Sequence, residues 1–284
     1  MKRLIRLLIL MMLVVGLTGC NQPSKGSVEQ SNKPLEEIVS THSKDPYEET
    51  DIAPSKDPYE ETDNTPNKDS LEVKKIVAID AGHQKKGDYE KEAVGPGAKE
   101  TKAKVSSGTQ GRFTHIPEYE LNLAVSLMLK EELLQRGYEV VMIRETNDVN
   151  LSNQERAMIA DNQHADILVR IHANGSENKE VNGILTLSPT KKNPYVSKIY
   201  RECYLLADCI LQAMVLQTGA NSKGIMQTDT MTGINWATMP VTIVEMGYMT
   251  NQKEDELMAT KEYRQKLMLG IANGIDEFFN KMSR

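Results

Sequence analysis

Ala165-Asp166-Ile167-Leu168-Val169-Arg170-Ile171-His172-Ala173-Asn174 is the stretch on which the fold turns. Its apolar run is rich in β-branched residues and too short for a helix, so a strand is expected over 166–172. A strand apolar on both of its alternating sides must be covered on both faces, as in parallel sheets. Working outward, Ser152–Gln163 has helical spacing with Ser152 as N-cap, and Tyr138–Ile143 is a strand. Further out, Pro117 opens a helix that carries Leu121, Val125, Leu129 and Leu133 and closes at Gly137. Strands are expected at Val73–Asp80, Gly183–Leu187, Ile225–Thr228 and Val241–Glu245, and helices at Val196–Gln217 and Tyr263–Phe279. Strands alternating with helices predict one α/β domain: a mostly parallel or mixed twisted sheet of about six strands, helices on both faces. Functional groups in such sheets gather at the carboxyl ends of the strands. Residues Gln84–Ile116 show neither periodicity and hold Gly87, Gly95, Pro96, Gly97, Gly108 and Gly111, which predicts a long functional loop.

The amino-terminal residues have a different character. Lys2, Arg3 and Arg6 precede an apolar run from Leu7 to Leu17 that is too short to span a bilayer. It ends in Leu17-Thr18-Gly19-Cys20, which resembles the lipobox of bacterial lipoproteins and implies a leader over 1–19, a lipid on Cys20 and an extracytoplasmic domain held at the membrane. Between Asn21 and Glu72, five lysines face thirteen acidic residues, and Ser43–Asp51 recurs unchanged as Ser55–Asp63. A 12-residue repeat this acidic cannot bury a core, so 20–72 is expected to be a disordered tether. Removing that −8 and the leader's +3 from the total of −6 leaves about −1 for residues 73–284, enough chain for one domain. Such a balance offers no basic surface for nucleic acid. Cys203 and Cys209, six apart on one helix, point away from each other and are expected as small buried apolar groups. Nothing in the sequence fixes an oligomeric state, and a monomer is the default expectation.

Four short runs carry chemistry. His83 follows Asp80-Ala81-Gly82 at a strand end, and His172 leaves the central strand in the same topological place, with Asn174 just beyond. Glu118 lies in the first turn of a helix, where the helix dipole favours the ionised carboxylate. Glu120 and His115 are its rivals as ligands. Glu245 is the one charge in Met239–Gly247; burial raises the pKa of such a carboxyl, which suits a general base, unless an arginine pairs with it. Two histidines and a carboxylate leave a fourth zinc position open. No HExxH is present, which excludes a helix-borne zincin site.

In order, Asp80–His83, Glu118–Leu123, His172–Asn174 and Val244–Gly247 with Asn251 resemble the motifs of the zinc-dependent N-acetylmuramoyl-L-alanine amidases of the amidase-3 family, across Lys75 to Lys281. Arg144 and Arg156 fit the same pattern. The resemblance implies one Zn2+ held by His83, Glu118 and His172, with Glu245 as catalytic acid/base. It also implies peptidoglycan as substrate, the bond cut being the amide between the muramic acid lactyl group and L-alanine. Asp80 is expected to orient a ligand from behind. Arg170, where the family usually carries a small residue, is expected to contact a substrate carboxylate or pair with Glu245. The competing readings are an inactive peptidoglycan-binding relative, a zinc-capturing surface lipoprotein, and a non-haem iron enzyme built on the same two histidines and carboxylate.

Overall fold

The computed structural model describes residues 74–284. The expected leader over 1–19, the lipobox cysteine Cys20 and the acidic repeat before Val73 lie outside the described residues. Among those described, no helix is long and apolar enough to cross a membrane.

Eight strands and six helices follow in the order β1 (Ile76–Ala81), β2 (Asp88–Ala93), β3 (Thr101–Val105), α1 (Glu118–Gln135), β4 (Glu139–Met142), α2 (Asn153–Asn162), β5 (Ile167–Asn174) and β6 (Ile184–Ser188). After these come α3 (Tyr200–Thr218), β7 (Ser222–Gln227), α4 (Thr232–Asn235), β8 (Val241–Tyr248), α5 (Gln252–Ala259) and α6 (Lys261–Met282). Six strands form one sheet in the order β4-β1-β5-β8-β6-β7. All neighbours are parallel except β6 and β8. The single mixed α/β sheet expected from the sequence is therefore the fold.

Strand alternation divides the core between two faces. Val77, Ile79, Ile167, Val169, Ile171, Val244 and Met246 join the apolar sides of α1, α3 and α6 in one cluster. Ala78, Leu168, Leu185, Leu187, Val241 and Ile243 pack on the opposite face. That second face also receives Asp80, Arg170, His172 and Glu245 by the same parity. Its helical cover includes α2, which contacts the four-residue α4. Ser152 caps α2 with a full capping box, its hydroxyl accepting from Glu155 N while the Glu155 carboxylate accepts from Ser152 N.

The segment 84–116 departs from the expected irregular loop. It contains an antiparallel hairpin, β2 with β3. Asp-Tyr-Glu-Lys-Glu-Ala is mostly charged, and the alternation in Thr-Lys-Ala-Lys-Val is too short and weakly apolar to announce a strand. Docking, rather than a core of its own, holds the hairpin. The Glu92 carboxylate accepts from Gln154 N at 3.2 Å, Trp236 Nε1 donates to Ala93 O, Asn235 Nδ2 to Val94 O, and Asn153 Nδ2 to Lys104 O. The expected helix 196–217 is likewise split, with a 3-10 turn at Ser197–Ile199 before α3. Cys203 and Cys209 are free and buried, as expected.

Candidate metal and catalytic site

Register brings the candidate residues together. β1 and β5 set Asp80 beside Arg170, while β5 and β8 set His172 beside Glu245 and Arg170 beside Ile243. His83 lies two residues past the end of β1, and α1 opens directly at Glu118. All of them therefore meet near the carboxyl ends of the central strands. His83, Glu118 and His172 each offer a ligand atom, and these atoms lie within 4.8 Å of one another. The rivals fall away: Glu120 and His115 are exposed and outside the group.

Glu118 Oε1 is the centre of the group. His83 Nε2 stands 3.1 Å from it and His172 Nδ1 3.2 Å. Asn122 Nδ2 and Ala173 N each approach the same oxygen to 3.2 Å. Four nitrogens crowd one oxygen, more than its own lone pairs accommodate. A cation held among the imidazoles and the carboxylate relieves that crowding. The spacing agrees with this, because zinc bonds of about 2.0–2.1 Å give a tetrahedral ligand-to-ligand edge of about 3.3 Å. The residues thus fit a metal ion.

The protonation states also fit. Burial pushes the His172 imidazole down to about 4, leaving it neutral at physiological pH, as a ligand must be. Burial opposes ionisation of Glu118, but the polar contacts with the His172 and His83 rings outweigh it and hold the carboxyl well below the ordinary range. His83 Nδ1 lies 3.0 Å from Ser106 O; donating there leaves the ring's lone pair on Nε2, the atom facing Glu118. Thr109 N donates to Glu118 Oε2 at 2.9 Å, and Asn122, one helical turn after Glu118, also reaches Gly82 O.

His83 adopts a left-handed backbone, φ 61°, which a non-glycine residue keeps only when its surroundings enforce it. Two buried arginines supply the enforcement. Arg144 donates to Ala81 O and Gly82 O, and Arg156 to Ala81 O and His83 O. Two glycines then admit the rings. A Cβ on Gly82 would stand 2.2 Å from the His172 ring, and one on Gly108, φ 83°, would stand 2.7 Å from Glu118 Oε2. Gly82→Ala is expected to displace the His172 ring and weaken metal affinity while the domain stays folded. Zinc titration with circular dichroism tests this, and unchanged affinity in a folded variant would refute it.

Asp80 and Arg170 behave differently from expectation. Asp80 touches neither histidine; its oxygens accept from Arg156 Nη1 at 2.7 Å and Arg170 Nε at 2.8 Å. Arg170 therefore pairs with Asp80 and, through Nη2, with Asn153 Oδ1, and not with Glu245, because the register puts Ile243 at its side. Burial opposes ionisation of Asp80, yet the two guanidinium groups outweigh it and lower its pKa. Asn174 turns Oδ1 back to Gly175 N. Asn251 is the N-cap of α5 and donates to Lys179 O, a structural duty.

Among the described residues Glu245 has no arginine partner. Its Oε2 is buried without a hydrogen bond, and burial, then the Glu118 charge, push its carboxyl well above the ordinary range. It lines a cleft of about 260 Å³ together with His83, His172, Arg170 and the hairpin residues Lys102 and Ala103. A larger depression of about 400 Å³ beside Thr218–Asn221 and α5 contains none of these groups.

Several proteins similar to this chain are N-acetylmuramoyl-L-alanine amidases. The chain is 29% identical over 210 residues to YqiI, an uncharacterised protein of Bacillus subtilis, covering 73% of this chain and 86% of that one. It is 26% identical over 207 residues to the N-acetylmuramoyl-L-alanine amidase LytC of the same organism, covering 73% of this chain but 36% of LytC. The crystal structure of the N-acetylmuramyl-L-alanine amidase Ami1 from Mycobacterium smegmatis superposes with a TM-score of 0.66 at 25% identity, over 73% of this chain and 97% of Ami1. The Amidase_3 model, N-acetylmuramoyl-L-alanine amidase, matches residues 77–277. That match spans most of the chain, and the chain belongs to the Amidase_3 family of N-acetylmuramoyl-L-alanine amidases.

Proposed function

We propose that this chain hydrolyses peptidoglycan at the amide joining the muramic acid lactyl group to L-alanine, with one zinc ion held by His83, Glu118 and His172. The convergence of these three donors on one point, with Glu245 in the same cleft, carries the reading. A bound zinc ion supplies Lewis acidity, making water a stronger acid and polarising a carbonyl. The chain's own work is proton transfer and positioning. Glu245, held poorly solvated, is the base that takes a proton from the attacking water and returns one to the leaving amine of L-alanine. Asn122 and Thr109 N fix the Glu118 carboxylate, and Ser106 fixes the tautomer of His83. Arg144, Arg156 and Arg170 hold the strand ends on which these groups stand.

The leader and the lipobox at Cys20 support a domain anchored by lipid outside the membrane, and the acidic repeat before Val73 supports reach into the wall. We assign residues 73–284 as the catalytic domain. Digestion of purified peptidoglycan, followed by labelling of new amino termini, tests the activity. New L-alanine termini are expected. Solubilisation through glycan or peptide cross-link cleavage instead, or no release, would refute it. His83→Ala and His172→Ala should each lose bound zinc and activity together; metal analysis showing one zinc retained in either would remove that residue from the ligand set.

A further inference from the structure

The cleft contains a cation for which the hydrolytic reaction has no use. Lys102, half-buried on β3, lines it, and its Nζ donates to Thr230 O at 2.7 Å. One of three ammonium donors is thereby used, which fixes the group and leaves two donors free. Lys104 on the same strand is paired with Glu90 and Asp88, whereas Lys102 has no carboxylate within ion-pair distance among the described residues. Its cross-strand neighbour, Glu92, is turned to the amide of Gln154. Arg170 lines the same cleft, and Arg156 and Arg170 share the single carboxylate of Asp80. Glu245 is the one carboxylate in that lining, so with Lys102 unpaired and Asp80 shared by two guanidinium groups the cleft carries surplus positive charge.

We propose that Lys102 is a specificity-determining residue: its ammonium, backed by the surplus charge of Arg156 and Arg170, receives a carboxylate that the stem peptide bears next to the scissile amide. This rests on the amidase reading above. In wall stem peptides L-alanine is followed by a γ-linked D-glutamate whose α-carboxyl is either free or amidated. Only the free acid offers an anion, so the chain discriminates between the two by charge. An ammonium-to-carboxylate hydrogen bond in a partly desolvated cleft corresponds to about a tenfold preference.

The test uses the zinc-loaded full chain and two soluble muramyl peptides that differ only in that group, carboxylate or carboxamide. Wild type should favour the acid about tenfold in kcat/KM, mainly through KM. In Lys102→Met the ratio of the two kcat/KM values should collapse to about one, and Lys102→Arg should restore the preference, since charge and not shape is being read. An unchanged ratio in Lys102→Met, or equal turnover of both peptides by wild type, overturns the subsite while leaving the amidase reading intact. Turnover of neither peptide overturns both.

Discussion

Glu245→Gln should lose hydrolysis by roughly a hundredfold to ten-thousandfold while keeping its zinc and its fold. The amide side chain has the same shape but cannot take a proton at neutral pH. Among the described residues no other carboxylate is placed to substitute, since Glu118 is occupied by both imidazoles and Asp80 by two guanidinium groups. The stability of the metal-free variant carries an independent sign. The folded pKa of Glu245 is raised, so the folded state binds more protons than the unfolded chain once pH exceeds the ordinary value of 4.5, and stability falls as pH rises. Glutamine removes that penalty, and the variant should be at least as stable as wild type at pH 7. Full activity would remove Glu245 from the reaction, and loss of zinc would make it a ligand instead. Turnover of a muramyl peptide, metal analysis and thermal melts read the three quantities together.

The second large effect concerns folding. Asp80→Asn should cost about 3–5 kcal/mol of stability, because it strands Arg156 and Arg170 in the interior without their shared carboxylate. Urea unfolding of the isolated variant measures this. A loss under about 1 kcal/mol, the scale of ordinary surface pairs, would show that the cluster does not hold the strand ends. Acid supplies the same information in the wild type. Since the pKa of Asp80 is lowered by folding, its contribution is complete above its ordinary value of 3.8 and disappears as pH falls through the folded value. Asp80→Asn should therefore flatten the pH dependence of stability below about 4. Lys130 and Glu145 form an exposed pair at 2.8 Å, and its removal should leave unfolding unchanged within error.

Legibility followed burial. β1, β5 and β8 are apolar runs because they lie in the sheet's middle, covered on both faces, and their sequences announced as much. α1 and α6 were read from spacing and α2 from its capping residue. The hairpin β2–β3 was not, because a strand pair held by hydrogen bonds to α2 and α4 needs no apolar alternation. α5 escaped for a related reason. Two of its three buried residues are acids: Glu254 accepts from Gly183 N and Tyr248 N, and Asp255 from Phe113 N and Thr114 N. A signal was present in Asn251, three residues ahead of Glu254, an N-cap spacing.

In the site, Glu118 was preferred to Glu120 and His115 mainly through the family resemblance, and the role of Asn122, one turn on, emerges only from its contact with the Glu118 carboxylate. Ser106 and Thr109 were not legible, since they lie in an aperiodic segment and reach the site largely through backbone atoms. Arg170 shows how register decides what alternation leaves open. Parity put Arg170, His172 and Glu245 on one face, yet only the β1–β5 pairing shows that its partner is Asp80.

Zinc-dependent amide hydrolysis at the His83, Glu118 and His172 group is the centre of this account, and one titration addresses it most directly. The full chain, stripped by chelator, is reconstituted with increasing zinc while release of L-alanine amino termini from a muramyl peptide is followed. Activity should be absent in the stripped protein, rise in proportion to zinc and saturate at one equivalent, matching the one such group of ligands among the described residues. Hydrolysis by the stripped protein, or none at one equivalent of bound zinc, would contradict it.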